Sequence, residues 1–255
     1  MLRELRSYVS VLSKLGSPQT VQEMALSGGA WRKADAMECP YCGYVGPFAS
    51  SGVMLMPKSC CPKCGSLPRH RLFRLIDADF AGKDLLHFAP EGIVKDWLGS
   101  VGLASYRTAD LFRTDVDLNL NVEDLDLPSQ SVDMILFFHV LEHVDDRKAL
   151  PELFRVLRPG GTLFAMFPIV EGWSQTYENP EMVTDKEREI AFGQSDHVRF
   201  YGRDVRDRIR DAGFEIEEFT AGPVESPRYG LERGEKVFEC KRPPDSDPHT
   251  KGVPQ

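Results

Sequence analysis

Two cysteine pairs have the most distinctive spacing in the sequence. Cys39 and Cys42 form one CPxCG pattern, Cys61 and Cys64 form a second, and 18 residues separate the two pairs. Four thiolates presented by two tight turns suit a tetrahedral zinc ion, and the glycine after each pair permits such a turn. Because sulfur fills all four positions, the pattern predicts a structural zinc ion rather than a catalytic one. Cys60 is an alternative ligand that does not fit the CPxCG spacing.

The same region is locally basic. From Lys58 to Arg74 there are five Lys or Arg residues and no acidic residue. RNA, an acidic substrate and the acidic remainder of the chain are all compatible partners for this patch. The whole chain has a formal net charge of −8, whereas proteins that bind nucleic acid usually carry a basic balance. The charge therefore favours the intramolecular partner and disfavours RNA or DNA.

The overall composition is that of a soluble globular protein. Of 255 residues, 42% are hydrophobic and 27% are charged, so a sizeable core can form. The longest apolar run, Met134 to Leu141, is interrupted by His139 and is far too short to span a bilayer. The N-terminal residues alternate charge with leucine instead of forming an apolar secretory segment. We therefore expect a cytoplasmic protein with reduced thiols, which favours metal binding by the cysteines over disulfides.

From residue 84 onward, predicted strands alternate with predicted helices. The strands are predicted at residues 85–88, 106–110, 116–121, 132–138, 162–167, 214–219 and 235–240, and the helices at 91–99, 145–157 and 202–212. Earlier helices are predicted at 2–15, 20–26 and 68–79. Alternation of this kind indicates an α/β fold with a mostly parallel sheet and helices on both faces. The last two strands have no firm helix between them and are expected to form an antiparallel edge.

The loops after the first strands are candidate ligand-binding segments, because open α/β sheets bind ligands beyond the carboxyl ends of their strands. After the first strand, Phe88 to Glu91 lead into a helix; Ala89 is small enough for close approach, and Pro90 suits a first helical turn. Asp110 ends the second strand, where a carboxylate can accept both ribose hydroxyls of a nucleoside or can cap a turn.

The next loop lies where the edge of an adenine ring would be. Val122 is placed to cover a ring face, while Glu123 or the backbone beside Asn121 is placed to read an amino group. An acidic loop is also compatible with plain solvation.

Two longer runs carry a family resemblance. Residues 131–143, ending in HVLEH, and residues 149–163, containing RVLRPGG, resemble the type 11 branch of class I S-adenosylmethionine-dependent methyltransferases. The resemblance extends over about 160 residues, through the HVRFYG stretch that begins at residue 197. It implies a Rossmann-like fold, S-adenosylmethionine as cofactor, and cofactor contacts at Phe88, Ala89, Glu91, Asp110, Val122, Glu123 and His139. The sequence departs from the family at LHFAPEG, where a glycine-rich loop is usual.

Methyl transfer needs a nucleophile held in line with the methyl group and, for a hydroxyl, phenol or thiol, a base. His143, at the end of the fourth strand, is the first candidate for that base, with capping or core hydrogen bonding as its alternative. Residues 168–195 form a long insertion that resembles a substrate lid. Tyr177 within it and His197 after it are further candidates for the acceptor pocket, and Arg199 is a candidate for binding a substrate carboxylate or phosphate.

These observations predict helices and a zinc ribbon over residues 1–80, with zinc knuckles at 39–64. They place a methyltransferase domain over 81–242 and a disordered tail over 243–255. The expected acceptor is a small molecule, and the protein is expected to be a monomer or homodimer. The alternatives are an RNA base methyltransferase that reads RNA with the zinc ribbon, and a non-catalytic protein that binds the cofactor as a sensor or scaffold.

Overall fold

The computed structural model describes residues 36–51 and 56–245. The helices predicted at residues 2–15 and 20–26, and most of the predicted tail, lie outside the described residues. In chain order the elements are β1 (Met37–Glu38), β2 (Val45–Gly46), β3 (Ala49–Ser51), β4 (Met56–Cys60), α1 (Pro68–Arg74), β5 (Asp84–Phe88), α2 (Gly92–Leu98), β6 (Ser105–Asp110), β7 (Leu118–Asn119), β8 (Val132–Phe138), a 3-10 turn (Leu141–His143), α3 (Asp146–Val156), β9 (Leu157–Met166), β10 (Tyr177–Glu178), α4 (Asp185–Phe192), β11 (Arg199–Phe200), α5 (Val205–Asp211), β12 (Glu215–Phe219), α6 (Glu225–Tyr229) and β13 (Val237–Lys241).

The chain divides into two compact units. The smaller unit contains the described residues up to Leu75 together with Ala221–Glu235, and the larger unit contains Ile76–Thr220 and the residues from Lys236 onward. This division differs from the predicted boundary at residue 80, and it moves residues 221–235 out of the predicted 81–242 domain. No helix among the described residues has the length and apolar character needed to cross a membrane.

The smaller unit is built from two antiparallel strand pairs and two short helices. β1 pairs with β2, and β3 pairs with β4. Its small core contains Met37, Phe48 and two of the cysteines. The helix α1 begins with Pro68 at its first position and ends at Arg74, five residues before the predicted end. Asp77 and Asp79 follow it, and acidic residues are disfavoured in the last turn of a helix because they oppose its dipole.

Residues 221–235 belong to the smaller unit because Arg71 holds them there. The Arg71 side chain donates hydrogen bonds from Nε to the Tyr229 carbonyl and from Nη2 to the Gly230 carbonyl, both at 2.7 Å. Gly230 has a φ of +59°, and a Cβ on it would lie 2.6 Å from the sulfur of Met37. Both the conformation and the close approach therefore require glycine at this position. A pairing over 158 positions of sequence cannot be read from local patterns.

The larger unit is an α/β structure around one seven-stranded sheet with the order β12-β13-β9-β8-β5-β6-β7. The pairs among β9, β8, β5, β6 and β7 are parallel, so the predicted mostly parallel sheet is confirmed. β13 is antiparallel to both of its neighbours, β9 and β12.

The last two strands form an antiparallel pair at one edge of the sheet, as predicted, with β12 outermost and β13 between β12 and β9. β13 buries Phe238 and Cys240 completely. β12 has the sequence EIEEF, and none of its five residues is buried. Acidic side chains suit an edge strand because they discourage pairing with other chains. The charged strand therefore takes the edge, and the more apolar strand is inserted beside β9.

The central strands β8 and β9 position the loops that follow them at the carboxyl edge of the sheet. β8 is a nearly continuous apolar run, as expected for a parallel strand covered on both faces, and its bounds match the predicted 132–138. β9 begins at Leu157, five residues before the predicted start. Gly161 makes this possible, because a Cβ there would lie 2.8 Å from the carbonyl oxygens of Arg158 and Asp133.

Candidate functional site

Backbone strain marks the carboxyl ends of the two central strands. Among the described residues, three that are not glycine have a positive φ: Ala89 at +46°, Gln130 at +54° and His139 at +53°. Ala89 follows β5 and His139 follows β8, and these strands are neighbours from which the chain proceeds in opposite directions across the sheet. A left-handed conformation costs an L-residue about 1–2 kcal/mol, and such strain concentrates at functional sites. This is the topological switch point, where open α/β sheets bind ligands.

The loop after β5 keeps the conformation that glycine would favour, although alanine occupies the position. The Ala89 N–H donates to the Ala109 carbonyl at 2.9 Å, which anchors the strained residue to β6. The helix α2 begins at Gly92 with Glu91 as its N-cap residue. Pro90 therefore lies before the cap and not in the first turn, where the sequence had placed it.

Asp110 ends β6 and has two different oxygens. Oδ1 accepts hydrogen bonds from the N–H groups of Phe112 at 2.8 Å and Arg113 at 3.0 Å. Oδ2 has no hydrogen bond to any part of the chain that the structure describes. Arg113 also donates to the Pro90 carbonyl at 2.8 Å, so the loops after β5 and β6 are joined. One oxygen thus caps the turn, and the described part of the chain makes no use of the other.

The loop at residues 121–125 is fixed mainly by Glu123. Its carboxylate accepts from the Asp145 N–H at 2.8 Å and lies 3.6 Å from the Lys148 ammonium. The Asn121 side chain accepts from the Glu123 N–H at 3.0 Å, and Val122 is only 5% exposed. The Glu123 carboxylate is therefore already bonded to residues at the start of α3. A ligand at this loop would more readily form hydrogen bonds with the loop backbone.

Three histidines and one glutamate gather beyond β8; we call His139, Glu142, His143 and His197 the histidine cluster. The His139 Nδ1 lies 3.3 Å from the Glu142 carboxylate. The rings of His143 and His197 meet edge to face, with centroids 4.7 Å apart. Burial lowers the pKa of His197, although Glu142 opposes this effect. The structure thus brings together two of the three predicted catalytic side chains.

Tyr177, the third predicted catalytic residue, lies beside this group without a direct link to it. It is in β10, which pairs with β11, and its side chain is 41% exposed. Its ring packs on Phe192 with centroids 5.5 Å apart, and the Phe192 carbonyl in turn accepts from His197. Within the described ranges, no hydrogen bond joins the Tyr177 hydroxyl to either histidine.

Arg199 supports the histidine cluster structurally and is not available to a substrate anion. It is 7% exposed, and its guanidinium donates to the carbonyls of Leu141 and Val144, at the two sides of the 3-10 turn. It also donates to the Glu178 carboxylate at 2.7 Å. The predicted role in binding a carboxylate or phosphate is therefore replaced by a role in holding the turn that carries Glu142 and His143.

Sequence reasoning missed the partners of Arg199. The buried Tyr201 hydroxyl donates to Asp146 at 3.0 Å, and Arg208 donates to both Asp146 and Glu178. Burial raises the pKa of Tyr201 well above its usual value. Burial also raises the pKa of Glu178, but the neighbouring Arg208 and Arg199 outweigh it and hold that pKa below its usual value. No local pattern signals this network, because its members come from four separate elements.

Comparison with known proteins was consistent with this geometry. Residues 103–165 match the family described as the methyltransferase domain. This segment lies within the larger unit. The match covers β6 through most of β9, which includes Asp110 and His139.

Curated proteins similar to part of this chain include two ubiquinone/menaquinone biosynthesis C-methyltransferases named UbiE. The protein from Vibrio parahaemolyticus is 30% identical over 133 residues, covering 46% of this chain and 49% of the relative. The protein from Escherichia coli O1:K1 is 31% identical, covering 46% and 51%. The chain therefore spans about half the length of these relatives.

Among solved structures, similarity extends to a chain of the complex between the Haloferax volcanii Trm112 methyltransferase activator and a protein assigned as a methyltransferase. The TM-score is 0.50 with 17% identity, over 69% of this chain and 89% of that chain. At this identity the likeness concerns the fold alone.

The four predicted zinc ligands converge in the smaller unit. The sulfurs of Cys39, Cys42, Cys61 and Cys64 all lie within 4.8 Å of one another. Cys39 and Cys64 are 3.5 Å apart, and Cys42 and Cys61 are 3.6 Å apart. A tetrahedron with metal–sulfur bonds of about 2.3 Å has edges of about 3.8 Å, so the set fits zinc. Cys60 is not a member of the group.

The two cysteine turns are built alike. In the first, Cys39 N–H donates to the Tyr44 carbonyl and Gly43 N–H to the Cys39 carbonyl; Cys61, Ser66 and Gly65 repeat the pattern. Gly43 and Gly65 have φ values of +67° and +74°, as expected for the glycine after each pair. Burial raises the pKa of Cys39, but hydrogen bonds from Ser66 and nearby backbone N–H groups outweigh it and lower that pKa to about 7. Burial instead raises the pKa of the Cys42 and Cys61 thiols, so metal binding at this set would release protons.

Proposed function

We propose that the protein is an S-adenosylmethionine-dependent methyltransferase. The observation that carries the proposal is the geometry at the switch point, where Ala89, Asp110 and His139 end three neighbouring strands of a methyltransferase domain. The family match over residues 103–165 supports it. The chain covers only part of its curated relatives, so the acceptor and the activity are inferred here from the site.

We propose that the cofactor lies along the loops after β5, β6 and β7. Asp110 Oδ2 would accept from the ribose hydroxyls while Oδ1 keeps the loop in place. The small side chain of Ala89 allows close approach, and the backbone of the 121–125 loop would read the adenine amino group. The predicted contacts remain a proposal as a set: Phe88, Ala89, Pro90, Glu91, Asp110, Asn121, Val122, Glu123 and His139.

The acceptor would bind at the histidine cluster, between β8 and the insertion that carries β10 and α4. When bound, the cofactor supplies an activated methyl group. The residues of the chain need only orient the acceptor, exclude water and, where necessary, take a proton. His143 is the first candidate for that proton, because it is more exposed than His197. Tyr177 offers an exposed aromatic face to the acceptor.

A small-molecule acceptor agrees best with these observations. The curated relatives are named for C-methylation in quinone biosynthesis, and the acidic chain disfavours a polyanion. The basic patch is also smaller than the sequence indicates, because Arg71 is fully buried. We therefore favour a small molecule over RNA as the acceptor.

We further propose that Cys39, Cys42, Cys61 and Cys64 hold a structural Zn²⁺ ion. The four sulfurs leave no position open for a substrate. Metal analysis of protein purified without chelator should find at least one zinc per chain. Serine at Cys39 or Cys61 should reduce that content, and a content well under one in the unaltered protein would refute the assignment.

The substitution Asp110→Asn tests cofactor binding. Asparagine keeps Oδ1 for the turn and replaces Oδ2 with an amide nitrogen that cannot accept. Losing one hydrogen bond to a charged acceptor costs about 1.5–3 kcal/mol, so calorimetry should show a dissociation constant for S-adenosylmethionine raised about 10- to 150-fold.

The matched control is Asp96→Asn, which makes the same change of charge at an exposed position on α2. It should leave the affinity unchanged. An affinity that stays within about threefold in folded Asp110→Asn would contradict the assigned ribose contact. Absence of S-adenosylmethionine binding by the unaltered protein would contradict the proposed function.

A further inference from the structure

Three side chains of the histidine cluster are spaced for metal binding. One ligand atom from each of Glu142, His143 and His197 lies within 4.8 Å of the other two. Glu142 and His143 lie in the 3-10 turn, and His197 is held beside it because the Val198 N–H donates to the Glu142 carbonyl at 3.0 Å. We propose that these three residues bind a divalent transition-metal ion, separate from the zinc proposed at the cysteines.

The hydrogen bonds of both histidines fix the tautomer that a metal needs. The Nδ1 of His143 lies 3.2 Å from the Asp196 carbonyl oxygen, and the Nδ1 of His197 lies 3.3 Å from the Phe192 carbonyl oxygen. A carbonyl oxygen can only accept, so each Nδ1 carries the proton. Each Nε2 of the neutral rings therefore has its lone pair available. Metal-binding histidines almost always show this arrangement, in which the second ring nitrogen donates to a carbonyl or carboxylate.

Glu142 supplies an independent indication. The residue is 1% exposed, and its Oε1 faces the Nδ1 of His139 at 3.3 Å. Its Oε2 is buried and has no hydrogen-bond partner in the parts of the chain that the structure describes. A buried carboxylate with an unsatisfied oxygen is costly. A cation beside Oε2 would satisfy it, and the His139 contact would then orient the ligating carboxylate as an outer partner.

The ligand set indicates the class of ion. Two imidazoles and one carboxylate suit Zn²⁺, Fe²⁺ or Co²⁺, whereas Mg²⁺ and Ca²⁺ prefer oxygen ligands alone. Three protein ligands also leave a coordination position open, unlike the four cysteines. A catalytic use of the open position rests on the proposed function. An acceptor hydroxyl bound at that position of the ion would have a lowered pKa. His143 would then hold the ion, and the ion would promote loss of the acceptor's proton to solvent water in place of the imidazole.

Cobalt binding to the full chain, with its cysteine site already loaded with zinc, tests the inference. Calorimetry should show one saturable Co²⁺ site per chain. Its visible absorption should lack a thiolate-to-cobalt charge-transfer band, because the ligands are nitrogen and oxygen. Zinc content should stay constant, which shows that the cysteines are not exchanging metal.

Three variants locate the site. Glu142→Gln and His197→Gln each remove one ligand and should weaken Co²⁺ binding by more than about 100-fold. Asp196→Asn changes an exposed outer residue whose carboxylate lies 3.4 Å from the His143 Nδ1. Because the Asp196 carbonyl still accepts the Nδ1 proton in this variant, binding should weaken by about 10-fold, the low end of the range for an outer partner. His249→Ala removes a histidine outside the described residues and should have no effect.

The inference is overturned by the absence of a saturable site, or by affinity that Asp196→Asn and both ligand variants leave unchanged. Circular dichroism checks that each variant is folded, and the surface substitution keeps the test valid where a buried one unfolds the chain. Calorimetry with S-adenosylmethionine on the same samples separates the two proposals. Absence of S-adenosylmethionine binding would contradict the proposed methyltransferase function. Absence of cobalt binding would contradict the metal site alone.

Discussion

Arg71 provides a quantitative test of how the smaller unit is held together. It is fully buried, and its guanidinium lies 4.4 Å above the ring of Phe48. It donates to the carbonyls of Ser59, Ser66, Tyr229 and Gly230. No carboxylate pairs with it in the described part of the chain. Arg71 therefore acts as a cationic cap on the end of α6.

The substitution Arg71→Met removes these donors and keeps apolar packing on Phe48. The Ser66 carbonyl retains the N–H of Cys61, at 3.0 Å. Among the described residues, Arg71 is the side-chain donor to the Tyr229 and Gly230 carbonyls. Leaving a fully buried acceptor unsatisfied costs about 1–3 kcal/mol. Because these two carbonyls belong to half-buried residues, we expect the free energy of local opening of this segment to fall by about 1–3 kcal/mol in total. A loss of that size is a large part of the stability of a small unit.

Hydrogen exchange measured by mass spectrometry over residues 225–231 is the appropriate assay, because it reports on this segment alone. Exchange should become at least about fivefold faster in Arg71→Met. Arg69→Met removes the same charge from a partly exposed position on the same helix, and it should change exchange much less. If exchange in Arg71→Met rises by less than about fivefold, the capping role is wrong. The result also affects how RNA binding should be tested. A variant that alters Arg69 and Arg71 together could lose RNA binding because the smaller unit is destabilised, and not because a contact to RNA is removed.

Two further predictions concern the larger unit. Because Arg199 and Arg208 hold the pKa of Glu178 below its usual 4.5, the ionised form stabilises the fold above that pH. Glu178→Gln should therefore lower the free energy of unfolding in urea by about 1–2 kcal/mol at pH 7. The difference should vanish as the pH falls through the lowered folded-state pKa, and a constant difference would refute the pairing. Ala89→Gly relieves a positive φ at the cost of a more flexible unfolded chain, so thermal unfolding should show a gain of up to about 1 kcal/mol; a clear loss would contradict the strained conformation.

The sequence predicted the parts of the fold that depend on local pattern. The apolar run of β8 defined a strand, and the CPxCG spacing brought four sulfurs together. The helix α4 was missed because its segment is polar and was taken as part of a long lid. Its start nevertheless carries a capping box, in which Thr184 and Glu187 exchange hydrogen bonds. That pattern could have identified it.

The misassigned residue shows where sequence reasoning ends. Arg199 looks like an anion-binding residue in the sequence, because its carboxylate partner Glu178 is 21 positions away and the turn that it holds is more distant still. Only the pairing of β10 with β11 brings Arg199 against Glu178. The edge position of β12, by contrast, agrees with its own acidic sequence EIEEF.

The insertion of residues 221–235 between β12 and β13 has a consequence for folding during synthesis. The smaller unit needs the carbonyls of Tyr229 and Gly230 to satisfy Arg71. The ribosome makes those residues more than 150 positions after Arg71. The four cysteines and α1 would therefore leave the ribosome early and wait, incompletely packed, until α6 and Gly230 have emerged. A fragment that ends near residue 80 would keep the metal ligands and lack the segment that completes their surroundings.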